Sequence, residues 1–496
     1  MQRKQLTLVI VSLLVVVLSV SLAYFTAQII GKGKTVDVSS ANLQIVFTDS
    51  DGAISGSNIE PGWNTTKTFT VENNSKSEYK YNIVIKDLLN TFVTNGYLKY
   101  KITSTNGGYN MSEFKDIPKS STPKDKILAY SVVIPNGVTQ SYTIEFKYAN
   151  DESVDQSDDM GKKLSGTLFI TEGTEEPVTL LSQLLADKST KLTRTDFSKV
   201  LTDNNTNTLY TSTEDSKTVY YFAGNATDNW VKFGKNASNQ DLYWRIIRTN
   251  SEGSIRLLYH GTSTTATDAY IGTSAFNRSY NDIAYVSYMF GSTGSISNAR
   301  ENTDNSTIKT TIDNWYTSNL EAKGYTKYLS RTAVYCNDRT STISGGWTYF
   351  GANTRLDTNK TPTYDCTTTE DKFTVDNSTG NGKLTYPIAL MTADEISYAG
   401  GVFVKNAETW YYLNSANGSS TGSTHWWLLS PSHWDGVNAS VVRVYGLGVP
   451  GYLGNQDVYN ANGVRPAISL KSCTLYSTGN GSASDPYTIK ETETGC

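Results

Sequence analysis

Histidine titrates near neutral pH and most often serves as a general base, and this chain has only three histidines in 496 residues. Two of them, His425 and His433, adjoin tryptophans in the segment 425–435 (HWWLLSPSHWD). An i, i+8 spacing on a strand would place both on one face, but no third metal ligand is evident beside them. Ser432, His433 and Asp435 also lack the context of a nucleophile motif such as G-x-S-x-G. We therefore predict no catalytic residues, no metal site and no cofactor.

Aromatic side chains in a glycine-rich stretch between residues 431 and 463 offer binding chemistry instead. Rings carried on glycine-rich loops provide rigid, amphipathic contact area at a low cost in conformational entropy. Some neighbouring aromatic residues must belong to a core, because adjacent strand residues such as Trp426 and Trp427 face opposite ways. The ligand-binding residues predicted from this stretch are His433, Trp434, Tyr452 and Tyr459.

The four cysteines include no C-x-x-C pair, which argues against a zinc ribbon or a thioredoxin-type site. Outside the cytoplasm the simplest pairing is sequential, Cys336 with Cys366 and Cys473 with Cys496, although four cysteines allow three connectivities. Each bond would stabilise the fold by roughly 3 kcal/mol through the unfolded state, and the second would also hold the chain end.

Five acidic residues crowd one loop in the first half of the chain: Asp151, Glu152, Asp155, Asp158 and Asp159. Calcium prefers such hard oxygen ligands, but their spacing does not match an EF-hand loop. The pattern is more typical of a solvated loop, and calcium binding by residues 151–159 is left open.

The location of the protein depends on residues 6–30, a long apolar run that follows two basic residues. The run is long enough to cross a bilayer, and it also ends in the small residues, Ser21-Leu22-Ala23, of a secretory cleavage site. Residues 1–34 are therefore predicted as a signal peptide or an N-terminal membrane anchor. Both alternatives place the remaining chain outside the cytoplasm, secreted after cleavage near Ala23 or anchored by residues 6–30.

Composition excludes several other classes of protein. The chain carries 43 Lys+Arg against 47 Asp+Glu, for a net charge of -4, and has no basic block that could neutralise nucleic-acid phosphates. It has only one long apolar run, which argues against a polytopic membrane protein. Only 18% of the residues are charged while tyrosine and threonine are abundant, which favours mainly β structure in an extracellular protein.

Short alternating or β-branched segments separated by turn signals run from residue 35 to residue 172 and predict a β-sandwich domain. Strands are predicted between residues 43 and 170, whereas 87–95 and 121–126 are predicted to be irregular or helical.

Three segments of this domain carry a resemblance: 41–45 (ANLQI), 59–62 (IEPG) and 66–73 (TKTFTVEN), after a leader that ends in AYFT. They resemble the camelysin and biofilm-matrix-fibre proteins of Gram-positive bacteria. The resemblance implies a jelly-roll-like sandwich, export with cleavage after Ala23, and a cell-surface or matrix role. Some members were described as proteases, but residues 1–172 contain no histidine and no H-E-x-x-H, so that activity is not expected.

The second half of the chain is predicted as an α+β domain over 219–496, joined to the first by a linker over 173–218. Leucines at 180, 181, 184 and 185 predict one short helix in the linker. In the second domain, residues 391–401 are predicted as a helix, because Thr392 and Glu395 have the spacing of a capping box and Gly400 that of a helix stop.

Residues 390–401 (LMTADEISYAGG), 426–431 (WWLLSP) and 463–467 (GVRPA) carry a second resemblance. They resemble motifs of the formylglycine-generating enzymes and, more closely, of bacterial surface domains of unknown function. The resemblance implies a C-type-lectin-like fold. The enzymes bind copper through two cysteines close in sequence, a spacing that this chain lacks, and the calcium-binding motifs of lectins are also absent. Arg465 is predicted to make structural hydrogen bonds rather than to hold a ligand.

These observations favour an exported bacterial cell-surface or matrix protein with a non-catalytic ligand-binding or adhesion role. The expected partners are the membrane, through the N-terminal segment, and an extracellular glycan or protein ligand, with self-assembly as a further option. An enzyme on a formylglycine-generating-type fold and a structural fibre subunit are the alternatives.

Overall fold

The computed structural model describes residues 59–201, 203, 205–266, 269–403, 425–446 and 452–496, together with the backbone of three strands within 35–55. Residues 1–34, predicted as a signal peptide or membrane anchor, lie outside the described residues. Among the helices that are described, none has the length and apolar character needed to cross a membrane. The chain divides into two compact units, Met1–Glu176 and Pro177–Cys496.

The described part of the first unit consists of two antiparallel sheets. Its strands are β1 (Thr35–Ser40), β2 (Leu43–Asp49), β3 (Ile54–Ser55), β4 (Asn64–Asn73), β5 (Tyr79–Asn90), β6 (Leu98–Ser104), β7 (Lys115–Asp116), β8 (Ser120–Ile134), β9 (Thr139–Tyr148) and β10 (Leu164–Glu172). One sheet has the order β1-β2-β4-β9-β6-β7 and the other the order β3-β10-β5-β8.

Apolar residues from both sheets share one core. Phe69 and Val71 of β4 are buried between more exposed neighbours, and they belong to the same cluster as Ile83 of β5 and Leu168 of β10. Alternation of this kind is what a sheet with one buried face requires. The prediction of mainly β structure is confirmed.

Two segments of the first unit differ from the sequence-based prediction. Strand β5 continues to Asn90 and β8 includes residues 121–126, although 87–95 and 121–126 were predicted to be irregular or helical. Asp87 has a positive φ of 52°, and the pairing of β5 with β8 shifts between Ile85 and Leu88. Such a bulge interrupts the alternation of apolar and polar residues, so the sequence pattern does not indicate a strand there.

The second unit is built on a ten-stranded and a seven-stranded sheet over its described residues. Its strands are β11 (Thr190–Thr193), β12 (Thr208–Glu214), β13 (Lys217–Tyr221), β14 (Trp230–Lys235), β15 (Asp241–Thr249), β16 (Ile255–Gly261), β17 (Thr273–Ala275), β18 (Met289–Phe290), β19 (Asp304–Asn305), β20 (Tyr335–Cys336), β21 (Ser341–Ser344), β22 (Trp347–Phe350), β23 (Lys372–Phe373), β24 (Ile388–Leu390), β25 (Trp426–Trp434), β26 (Ala439–Val444), β27 (Leu453–Asp457), β28 (Ala461–Gly463), β29 (Pro466–Leu470), β30 (Tyr476–Thr478) and β31 (Tyr487–Ile489).

Helices are short. The α-helices are α1 (Leu180–Asp187), α2 (Ile296–Ala299), α3 (Thr307–Tyr316), α4 (Gly351–Asn353) and α5 (Ala393–Ala399). Turns of 3-10 helix span Ser157–Asp159, Ile283–Val286, Tyr325–Tyr328 and Thr369–Asp371, and π-helical turns span Thr317–Glu321 and Thr354–Asn359.

Of the segment 173–218, predicted as a linker, residues 177–218 belong to the second unit. Its predicted helix is present as α1, where the Thr179 hydroxyl accepts a hydrogen bond from the Ser182 amide. After this helix the chain is packed into the unit, because β11 and β12 belong to the ten-stranded sheet and Leu209 is buried. Threonine and tyrosine fit a paired, half-buried strand, so the pairing of β12 with β13 orders a segment that lacks a strong apolar pattern.

Both disulfide bonds belong to the second unit and have the sequential pairing. Cys336 is bonded to Cys366 and Cys473 to Cys496, with Cα atoms 5.8 and 5.2 Å apart. The second bond attaches the last residue of the chain to the turn that follows β29.

Candidate functional site

The β21–β22 hairpin projects Trp347 from one end of the seven-stranded sheet. Its two-residue turn consists of Gly345 and Gly346, with φ of 59° and 84°, and pairs Ser344 with Trp347. Positive φ at both positions is the requirement of a tight hairpin turn that matches strand twist, and glycine meets it without steric cost.

Strand β22 continues from this turn onto the end of β25. Thr348 pairs with Trp434 and Tyr349 pairs with His433. Because paired residues of neighbouring strands share a face and consecutive residues alternate, Trp347, Tyr349 and His433 lie on one face. Trp434 lies on the opposite face, half-buried against the core of the unit.

Three aromatic rings stack on that face. The Trp347 and His433 rings are nearly parallel, with 5.0 Å between their centroids and 12° between their planes. Tyr349 lies 5.9 Å from Trp347 at 29°. Trp347 is 40% exposed whereas His433 is only 8% exposed, so the imidazole supports the indole from beneath.

Polar residues continue the same row across the sheet. His433 pairs with Ser440 of β26, which pairs in turn with Asp457 of β27, and the Ser440 hydroxyl donates to Asp457 Oδ1 at 2.7 Å. Burial lowers the pKa of the His433 imidazole, and the charges of Asp435 and Asp457 offset only part of this effect. The imidazole is therefore held in its neutral form near neutral pH.

The turn between β25 and β26 is fixed by Asp435. Its Oδ1 atom accepts hydrogen bonds from the amides of Val437 and Asn438 at 2.7 and 2.6 Å. This turn leaves Val437 63% exposed at the same end of the sheet as the β21–β22 hairpin.

Two tyrosines adjoin this turn. The Ala439 amide donates to the Tyr280 carbonyl at 2.9 Å, and the Ala439 carbonyl accepts from the Val458 amide at 3.0 Å. These bonds bring Tyr280 and Tyr459 together, with ring centroids 4.9 Å apart. Both residues are more than 40% exposed.

Exposed apolar side chains are concentrated here. Of the seven large exposed hydrophobic residues among the described residues of the second unit, five lie at this end of the seven-stranded sheet. We define the apical surface as these five residues with Tyr349 and His433: Tyr280, Ile343, Trp347, Tyr349, His433, Val437 and Tyr459. Grouped exposed apolar residues on a folded domain indicate an interaction site, whereas scattered ones do not.

The structure brings three of the four predicted ligand-binding residues to this region. His433 and Tyr459 belong to the apical surface, and Trp434 lies beside it, partly buried against the core of the unit. Tyr452 lies at the opposite end of β27, where its ring contacts Tyr445 at 4.8 Å. It is therefore separated from the other three.

Sequence reasoning missed Trp347, Tyr349 and Tyr280. For the first two a signal exists, because the Gly345-Gly346 pair between short β-prone segments is typical of a two-residue hairpin. Tyr280 has no such signal, since its place depends on a backbone hydrogen bond from distant Ala439.

A second group of charged side chains is buried inside the unit, around Glu395. Its Oε1 atom accepts from Arg248 Nε and Arg256 Nη1, both at 2.8 Å, and Oε2 accepts from the Thr392 amide at 2.9 Å. The predicted capping box of α5 is confirmed. Burial would raise the pKa of Glu395, but the charges of Arg256 and Arg248 hold it below its ordinary value. These contacts position helix and sheet.

The acidic loop of the first unit uses its carboxylates locally. Asp159 is 4% exposed and accepts hydrogen bonds from the Val93 amide at 2.5 Å and the Tyr148 hydroxyl at 2.8 Å. Asp151 accepts from the Ser153 amide at 3.0 Å, and Asp155 from the Ser157 amide at 2.9 Å. Over the part of the chain that the structure describes, no three His, Cys, Asp or Glu side chains converge as metal ligands do.

Arg465, the motif residue predicted to be structural, is fully buried. Its Nε and Nη2 atoms donate to the Tyr259 carbonyl at 3.3 and 3.2 Å. It joins β29 to β16 and lies away from any exposed surface.

Residues 359–472 match DUF6273, a domain of unknown function. The matched region includes β25, β26 and β27, and so His433, Val437 and Tyr459, but it begins after the β21–β22 hairpin that supplies Trp347. No curated protein matches the chain.

Proposed function

We propose that this chain is an exported bacterial cell-surface or matrix protein that acts by binding an extracellular glycan or protein at the apical surface. The proposal includes a jelly-roll-like first unit, a C-type-lectin-like second unit and a signal or anchor in residues 1–34. Its main support is the concentration of five exposed apolar residues at the end of the seven-stranded sheet that also carries the Trp347–His433 stack.

The expected location has independent support. Two disulfide bonds in one unit are typical of proteins that fold in an oxidising compartment. The mainly β architecture with few charged residues fits the same compartment, and the apolar residues 6–30 supply a means of export.

Binding is favoured over catalysis by the environment of His433. A general base must reach a substrate proton at hydrogen-bond distance, but this imidazole is 8% exposed and covered by Trp347. Its position suits it to hold the indole in place. Trp347, Tyr349 and His433 are also held on paired strands, so they lose little conformational freedom on binding.

The test measures binding of the full chain to two materials, the insoluble cell wall and the extracellular matrix of a Gram-positive bacterium. Trp347→Ala, combined with Val437→Ala, should weaken binding by about tenfold or more, as expected for loss of one central aromatic contact. The matched control is Leu192→Ala, because Leu192 is 43% exposed on β11 of the other sheet. Equal binding by all variants would contradict the proposal.

A further inference from the structure

Arg443 on strand β26 is a buried cation without an anionic partner. It is 8% exposed, and within the described residues its side chain makes one long hydrogen bond, from Nη1 to Asn462 Oδ1 at 3.5 Å. Its Nε atom is buried and has no acceptor. Arg465, by contrast, donates from two atoms to one backbone carbonyl. A desolvated charge without a partner is costly, so the fold keeps Arg443 at the expense of stability.

Two further buried polar atoms beside Arg443 have no hydrogen-bond partner over the described part of the chain. They are Asn462 Nδ2, a donor, and Gln456 Oε1, an acceptor. Asn462 contacts Arg443 directly, as given above. Gln456 pairs with Val441 and Gly454 pairs with Arg443, so Gln456 and Arg443 lie diagonally on one face, about 7–8 Å apart. All three side chains are therefore within reach of one small ligand.

Aromatic rings adjoin the guanidinium group of Arg443. Its Cζ atom lies 4.2 Å from the centroid of the Tyr445 ring, which also contacts the rings of His425 at 4.7 Å and Tyr452 at 4.8 Å. The Tyr445 ring packs on Gly454, where a Cβ atom would lie 2.5 Å from Cε2. This stacking covers a face of the planar guanidinium and leaves its edge, with Nε and Nη2, for an acceptor.

The charges near this cluster leave the positive charge of Arg443 uncompensated. Burial lowers the pKa of His425, and the charge of Arg443 lowers it further, so this imidazole is neutral. Burial raises the pKa of Tyr452 and Asp357 adds to this, but Asp357 is more than half exposed and lies 3.9 Å from Lys360 Nζ. One uncompensated positive charge fits a carboxylate, whereas a phosphate monoester brings about two negative charges.

We propose that Arg443 and Asn462 bind the carboxylate of a sugar acid. The Nε–Nη2 edge of Arg443 has the fork geometry that matches two carboxylate oxygens, and Asn462 Nδ2 adds a third donor. A hydroxyl of the sugar donates to Gln456 Oε1, and its C–H face packs on Tyr452. The site lies on the face of β26 opposite to Ser440, so it is distinct from the apical surface and independent of the proposed function.

The ligand class is tested by calorimetric titration of the full chain with two matched pairs of sugars. D-glucuronate is compared with D-glucose, and N-acetylmuramate with N-acetylglucosamine, because the members of each pair differ in a carboxylate. We expect saturable binding of at least one sugar acid, and binding of its neutral counterpart weaker by about tenfold or more. Glucose 6-phosphate and N-acetyl-dialanine test a phosphate and a peptide carboxylate, and both should bind more weakly than the sugar acid.

The site is tested by three variants. Arg443→Met removes the charge, and Arg443→Lys keeps the charge without the fork; they should weaken binding by about tenfold and about fivefold or more. Arg331→Met makes the same change at a side chain that is 52% exposed in the same unit, and binding should stay within about twofold. Without ligand, Arg443→Met should unfold in urea at the same or a higher concentration, because it removes an unpaired buried charge and keeps an apolar stem.

Several results would overturn the proposal. The ligand class is wrong if neither sugar acid binds, if the neutral counterparts bind equally, or if the phosphate or the peptide binds more tightly. The site is wrong if the sugar acid binds equally to both Arg443 variants and the unsubstituted protein. Lower stability of Arg443→Met, together with unchanged binding by Arg443→Lys, would assign Arg443 to the core alone.

Discussion

The imidazole of His433 lies almost parallel beneath the indole of Trp347, with 5.0 Å between the ring centroids and 12° between the ring planes. The two residues come from strands far apart in the sequence, and the register of β22 with β25 sets their contact. An exposed indole on a buried ring is a rigid platform, whereas the same indole on a free loop would have to be ordered on binding.

Stability of the second unit should depend on pH through His433. Its folded-state pKa is lowered below the ordinary value of 6.5 by burial, despite Asp435 and Asp457. The unfolded chain therefore takes up the proton first as the pH falls. This contribution to stability is present above pH 6.5 and is lost as the pH falls through the lower folded pKa.

Urea unfolding between pH 7.5 and pH 5 measures this effect. Tryptophan fluorescence is a suitable signal, because eight of the nine tryptophans belong to the second unit. We expect a smaller fall in stability for His433→Gln than for the unsubstituted protein. His425→Gln is the comparison, since burial also lowers the pKa of His425. A fall that is identical with and without His433 would show that its proton plays no part.

Removing the charge of Glu395 should destabilise the second unit strongly. Glu395→Gln leaves Arg256 without its carboxylate and removes one of two carboxylates from Arg248, which keeps Glu214 at 2.8 Å. Breaking a buried ion pair from one side costs about 3–5 kcal/mol, because the remaining charge stays desolvated.

Unfolding in urea checks the size of this loss. Glu321→Gln, an exposed substitution in the same unit, should change stability by less than about 0.5 kcal/mol. If both variants unfold at the same urea concentration, the Glu395 contacts do not stabilise the fold as the geometry indicates.

The sequence predicts strands well where one face is buried and the spacing is regular. Phe69 and Val71 show this in β4. A helix can be predicted in the same way from its end signals, as the capping box of α5 shows. It fails at Asp87, where a bulge changes the spacing, and over β11 and β12, where pairing with a neighbour rather than an apolar pattern creates the strand.

The site is less accessible to sequence reasoning than the fold. His433 and Tyr459 could be selected by residue type, because aromatic residues in a glycine-rich stretch favour surface contact. Tyr452 meets the same criterion but lies at the other end of β27. The side chain that completes the stack, Trp347, follows from strand register, which depends on contacts far apart in the chain.

Reduction of the disulfide bonds should affect only one of the two units. Both bonds lie in Pro177–Cys496, and each contributes about 3 kcal/mol by restricting the unfolded chain. The first unit has its own core and contains no cysteine. Calorimetric unfolding with and without a thiol reductant measures this effect. The reductant should lower the transition temperature of the second unit and leave that of the first unchanged.

The Cys473→Ser, Cys496→Ser double variant isolates the bond at the chain end, and we expect it to lower the transition temperature of the second unit by a smaller amount. A reductant effect on the first unit's transition, or none on the second, would contradict this assignment of stability to the two cores.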